Sequence, residues 1–231
     1  MCRLQSDRHD DEHQRTIDYQ PEAAILMTTT THPLVFERQD QGEETARADL
    51  YGLLATLFYA PPSQALLDTI ASAQSEGEGV LERAWADLVA ACKSAKAEPV
   101  RDEYELLFLG VGKPEVMLYG SYYLSGFLME KPLAALRTDL SMLGIERVQS
   151  VVESEDHIAS LCEVMRYLIA SDDPLHGNLA TQQTFFSDHM QAWVDDMCNA
   201  LEAHPKTDFY LPVTRLARAY FAVEMQAFDM G

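Results

Sequence analysis

Basic residues are scarce in this chain. Its 231 residues hold 17 Lys and Arg against 37 Asp and Glu, a formal net charge of −20. A field of that sign repels nucleic acid and anionic membrane and favours basic partners, although acidic surfaces also serve solubility alone. Cysteine is sparse too. Four stand at 2, 92, 162 and 198, with no CxxC and no metal-ligand spacing. Cys92, Cys162 and Cys198 fall on apolar helical faces and read as reduced core thiols of a cytoplasmic protein. No apolar run reaches the length of a membrane span, and the amino terminus lacks the charged-then-apolar pattern of an export signal.

The common catalytic templates are missing as well. Gly112-Lys113 has neither the upstream glycine nor the following Ser or Thr of a phosphate loop. There is no GxSxG elbow and no HExxH. A di-iron site in a helical protein needs Glu-x-x-His pairs, and none of the seven histidines has Glu three residues before it. No catalytic residue, metal or cofactor is therefore assigned. Sustained strand alternation and internal repeats are also absent.

What remains is helical periodicity. Residues 1–42 read as an unstructured polar lead, with MTTTTHPLV at Met27 as an alternative start. Order is expected from Glu43. Leu50, Leu53, Leu54, Leu57 and Phe58 make one stripe, ended by Pro61-Pro62, and Ser63 can cap the next short helix. Leu81 to Cys92, Leu133 to Leu143 and Ile158 to Ile169 repeat the pattern, the second stopped by Gly144. Two more helices are expected to meet near His189, and Pro212 opens a last one. The spacing predicts an all-α domain over 43–231, a bundle of roughly nine or ten helices. Its halves, about 43–144 and 153–231, are joined at a candidate hinge where residues 145–152 lose the helical period.

Two stretches stand out. In Asp102 to Gly126, Tyr104, Leu107 and Phe108 share a helical face that ends at Gly110. Tyr119, Tyr122 and Tyr123 then cluster around Gly120 and Ser121 in what reads as a loop. Loops shed aromatics, so these either pack inward or receive a ligand. The second stretch is Glu153-Ser-Glu-Asp156-His157. Ser154 reads as the cap of the Ile158 helix, with the acids complementing its dipole in the first turn. His157 fits less well, because a cation at a helix start opposes the dipole unless burial or a partner justifies it.

Taken together these motifs resemble the TorD/DmsD family of cytoplasmic, all-helical chaperones for molybdenum-cofactor enzymes. The residues that carry the resemblance are Tyr104-x-x-Leu107-Phe108-x-Gly110, Tyr119-Gly120-Ser121-x-Tyr123 and Glu153-x-x-Asp156-His157, with Phe186-x-x-His189-x-x-x-Trp193 and Phe209-Tyr210 behind them. Met117-Leu118 and Ser154 stand where the family commonly has proline. Residues 119–140, YGSYYLSGFLMEKPLAALRTDL, look most like members associated with formate dehydrogenases.

The resemblance implies binding, with no catalysis: such proteins hold the twin-arginine leader of a molybdoenzyme until its cofactor is inserted. By that likeness Glu153 and Asp156 are candidate arginine partners, with His157 beside them. Tyr104, Leu107, Phe108, Tyr119 and Tyr123 form an apolar wall, or core that positions one, and Gly120 and Ser121 shape the loop. Charge reversal at Asp156 is then expected to weaken leader binding without unfolding the chain. The family also implies a monomer with some half-exchanged dimer. Two other readings compete: a small hydrolase or nucleotide-dependent protein using Asp156 and His157, and an acidic helical adaptor for some other basic protein.

Overall fold

A computed structural model describes residues 42–110, 113–148 and 152–230. The polar lead and the alternative start at Met27 lie outside the described residues, as does the middle of the candidate hinge. Among those described there are ten α-helices and no strand. They are α1 Glu43–Tyr59, α2 Gln64–Ala71, α3 Val80–Ser94, α4 Ala97–Tyr104 and α5 Gly120–Ser125. After them come α6 Lys131–Met142, α7 Ile158–Ala170, α8 Leu179–Phe186, α9 Val194–Ala203 and α10 Tyr210–Met230. The all-α expectation holds.

The centre is the pair α1 and α7, which run along each other. Nine of the thirteen residues of α7 are buried, so this helix is enclosed on most sides. Gly52 lets the two approach: a Cβ there would come within 2.9 Å of Cδ of Arg166. Around this pair α10 packs on α3, α9 and α1, α2 on α3, α8 on α7, and α5 on α6 and α9. Helices from 43–144 and from 153–231 therefore interleave in one core. Cys92, Cys162 and Cys198 are buried free thiols, and burial pushes Cys92 up to about 11 and Cys198 up to about 12.

Local signals set some of the ends. Ser63 Oγ accepts from Leu66 N at 3.2 Å, as its position before α2 predicts. Gly144 is left-handed at φ +67, just past α6. Other ends are closed by distant parts of the chain. Hydroxyls of Tyr104 and Tyr210 donate to Tyr59 O at 2.7 Å and Leu57 O at 3.0 Å, satisfying carbonyls in the last turn of α1. The Glu103 carboxylate accepts from the N–H groups of Asp208, Phe209 and Tyr210, each at 2.9 Å, and so caps α10 from another helix. These closures join segments between 45 and 153 residues apart and form only when the bundle closes, out of reach of local pattern.

Two short π-helical segments interrupt the regular helices, Glu105–Leu109 after α4 and Ser187–Gln191 after α8. Such widened turns recur at functional sites. The first ends at Gly110, left-handed at φ +49, where a Cβ would sit 2.5 Å from Lys113 O. The second carries Asp188 and His189 to the site described next.

Candidate functional site

The two stretches singled out in the sequence meet. Tyr119 and His157 form an isolated antiparallel bridge in which Gly120 N donates to Asp156 O at 2.9 Å and Ile158 N to Leu118 O at 2.8 Å. Asp156 is 4% exposed, and its Oδ2 accepts from Ser121 N at 2.9 Å while Oδ1 accepts from the Ser154 hydroxyl. The Tyr119 hydroxyl donates to Glu153. Segments 35 residues apart in sequence are thus tied by backbone and carboxylate together.

Three expectations change here. The aromatic loop is a helix: Gly120 to Ser125 forms α5, ended by left-handed Gly126. Asp156 supplies the acceptor at its first turn, which the loop reading had no way to include. Ser154 is not the cap of α7. That cap is His157, whose Nδ1 accepts from Ala159 N at 3.1 Å. Glu153 and Asp156 precede the helix instead of lying in its first turn, since the chain reverses at 155–156 to make the bridge. Finally, Asp156 is too buried and too engaged to accept lysine without loss of folding, so charge reversal there does not test binding cleanly.

His157 is justified by burial. At 3% exposure, desolvation holds its ring neutral and its pKa down to about 4 from 6.5, against the opposite pull of Glu153 and Asp156. The Tyr119 ring lies edge-on to it at 5.0 Å. An unfolded chain protonates this histidine near 6.5 and the folded one only near 4. Its stabilising contribution is therefore complete above pH 6.5 and is lost as pH falls toward 4. Urea unfolding at stepped pH is expected to show a loss of roughly 3 kcal/mol across that window. His157→Asn keeps a capping acceptor and should flatten that part of the profile. An unchanged slope in the variant would contradict the assignment.

Within the 153–157 stretch, Glu155 is the acid whose side chain pairs with this chain's own arginines. Arg137 lies at 2.9 Å and Arg147 at 3.4 Å. Burial alone would raise its pKa, but the Arg137 hydrogen bond, its own backbone N–H and both positive charges outweigh that and hold it below the ordinary value.

Beside the bridge opens a cleft of about 250 Å3, lined by residues of α5, α6 and the second π-helical segment. Asp139, Asp156 and Asp188 converge on it, with His189 Nε2 2.9 Å from Asp139 Oδ2. Leu124, Pro132, Ala135 and Leu136 supply its apolar wall. Ser121 also lines it, 1% exposed, and its hydroxyl is buried without a hydrogen-bond partner. An orphaned buried hydroxyl beside three carboxylates suits a multivalent donor better than an apolar ligand. Asp139 and Asp188 carry no motif of their own, and sequence reasoning missed both. The spacing Phe186-x-x-His189-x-x-x-Trp193 was the available signal for His189.

Of the remaining candidates only Gly120 lines the cleft. Tyr104, Leu107 and Phe108 are at most 7% exposed; the Phe108 ring packs with Phe58 and Tyr210, meeting Tyr210 edge-on at 4.9 Å, and the Tyr104 ring lies 5.9 Å from Tyr210. They are core, and they do not line the cleft. Gly120 lies against Trp193, where a Cβ would come within 2.9 Å of Nε1. Tyr123 stacks on the same indole at 5.6 Å and donates to Met117 O at 2.8 Å. Asp156 and His157 turn to separate partners and share no nucleophile, so the hydrolase geometry is not assembled. Among the described residues no cluster of His, Cys, Asp and Glu could hold a metal ion, and no helix is long and apolar enough to cross a membrane.

Comparison with known proteins agrees with this architecture. Residues 76–199, more than half of the chain, match the family described as nitrate reductase delta subunit. The chain is 26% identical to Chaperone protein TorD of Vibrio cholerae serotype O1, Classical Ogawa strain, over 203 residues that span 79% of this chain and 92% of the relative. Against the El Tor Inaba strain's Chaperone protein TorD the identity is 25% over the same span. The chain therefore belongs to the nitrate reductase delta-subunit family, the TorD/DmsD-like maturation chaperones of molybdenum enzymes, which are chaperones and not enzymes.

Proposed function

We propose that this protein binds the twin-arginine leader of a molybdenum-cofactor oxidoreductase and holds it until the cofactor has been inserted, with a formate dehydrogenase as the client. The observation that carries the reading is the convergence of Asp139, Asp156 and Asp188 with the unpartnered Ser121 hydroxyl at one cleft. A guanidinium presents five donors in a fixed fork and suits paired carboxylates better than an ammonium does. The net charge of −20 steers a basic segment toward the protein. Asp139 and Asp188 act as the accessible acceptors. Asp156 adds its charge and remaining lone pairs from behind, and Glu153 and Tyr119 close the neighbouring bridge. The client assignment rests on residues 119–140, which resemble the formate-dehydrogenase-associated members.

Calorimetric titration of the full chain with a formate dehydrogenase leader peptide is expected to give micromolar or tighter binding. A twin-lysine peptide should bind at least about tenfold more weakly, through loss of the bidentate fork. Asp188→Lys, at an exposed position, should weaken the arginine peptide to a similar extent. Equal binding of the two peptides would sink the cleft assignment. Binding only to another molybdoenzyme's leader would replace the client.

A further inference from the structure

The turn between α5 and α6 exposes a short apolar ridge. Phe127 is 71% exposed, Leu128 42% and Met129 78%, the one run of three consecutive large apolar side chains left open among the described residues. The ridge is a built feature. Gly126, left-handed at φ +82, closes α5 through a 2.8 Å bond from its N–H to Tyr122 O. The Ser125 hydroxyl donates to Ser121 O at 2.6 Å and also reaches Phe127 O at 3.1 Å. Met129 sits at φ +60, the sole non-glycine with positive φ among the described residues. A flexible unbranched side chain held largely exposed in a disfavoured backbone conformation marks a position kept for something other than stability.

Placement shows what it adjoins. Leu124, on one side of the ridge in the chain, and Pro132, on the other, both line the acidic cleft. An apolar surface thus continues directly from a pocket of carboxylates. We propose that Phe127, Leu128 and Met129 receive the apolar segment that follows the arginine pair of a leader peptide, a role the buried Tyr104, Leu107 and Phe108 are not placed to fill. This inference rests on the leader-binding reading. The occupant is chosen by charge complementarity: a ligand that is basic and then apolar meets a surface that is acidic and then apolar. An anionic membrane would be repelled by the same aspartates and the overall charge. A second copy docked across this ridge by a two-fold axis would bring two acidic clefts together, which like charge opposes.

Two synthetic peptides test it, both starting with the arginine pair. In one it is followed by ten Leu and Ala residues, in the other by ten Ser and Gly residues. The wild-type chain is expected to prefer the apolar peptide by about tenfold or more, from burial of the ridge side chains. Phe127→Ser/Met129→Ser, altered only at exposed positions, should bind both peptides at the level of the polar one. A variant that keeps the full preference would overturn the proposal. So would a wild type that binds both peptides equally, an outcome that leaves the leader-binding reading standing. If wild type binds neither peptide, that reading falls and the ridge assignment with it. Light scattering that shows a wild-type dimer broken by the double variant, with peptide preference intact, would assign the ridge to a second copy instead.

Discussion

Glu224→Ala is expected to lower the unfolding free energy by about 3–5 kcal/mol. The Glu224 carboxylate is 1% exposed on α10 and accepts from Arg47 of α1 through Nε at 2.8 Å and Nη2 at 2.7 Å. Tyr51 adds its hydroxyl at 3.1 Å, and Gln182 of α8 takes another Arg47 donor at 3.2 Å. Arg47 also lies over the Phe228 ring, 5.7 Å from its centroid. Removing the acid leaves a largely buried guanidinium with Gln182 and the more exposed Glu44 as its remaining acceptors. The cost is that of an uncompensated buried charge more than of the lost attraction. Over a domain this size the melting temperature should fall by about 10 °C. Arg47→Met/Glu224→Leu, which removes both charges, should recover most of the loss. If the double variant were as unstable as the single one, the loss would have to come from packing and not from charge.

Trp193→Ala should cost about 3–5 kcal/mol and also take most of the peptide binding with it. The indole is 1% exposed, donates to His189 O at 2.7 Å, and holds Gly120 and Tyr123 against its face. It therefore supports two sides of the cleft at once, α5 and the π-helical segment bearing Asp188 and His189. Phe in its place fills much of the volume without the hydrogen bond, and should restore stability further than it restores binding. Equilibrium unfolding and titration of the two variants with the arginine peptide would separate these effects. Full binding by a destabilised Trp193→Ala would show that the cleft is held without the indole.

The sequence was most legible where chemistry is local. Leu50 to Phe58 show an apolar stripe because a helix buries one side, and Ser63 and Gly144 are recognisable because caps and left-handed turns select few residue types. The juxtaposition of Tyr119-Gly120-Ser121 with Asp156-His157 came from a family likeness and not from period or composition. Where a cap arrives from elsewhere, local reading fails. Ser154 has the chemistry of an N-cap and sits three residues before the true one, because Asp156 and His157 are claimed by a bridge to Tyr119. Gly120 to Ser125 looks like a loop because the acceptor that closes its first turn lies 35 residues away.

By itself the sequence determined the class and the sign of the surface: helical period, the spacing of stops, and twice as many acids as bases are properties of short windows and of sums. Only the tertiary structure decided which acids form a site. Asp139 and Asp188 lie on different helical segments with nothing in their neighbours to mark them, and become a pair when α6 and the π-helical segment face one cleft. It also sorted the aromatics, sending Tyr104 and Phe108 into the core while the α5–α6 turn left Phe127 in water. Burial depends on what packs opposite, and that is a property of the closed bundle, not of the residue.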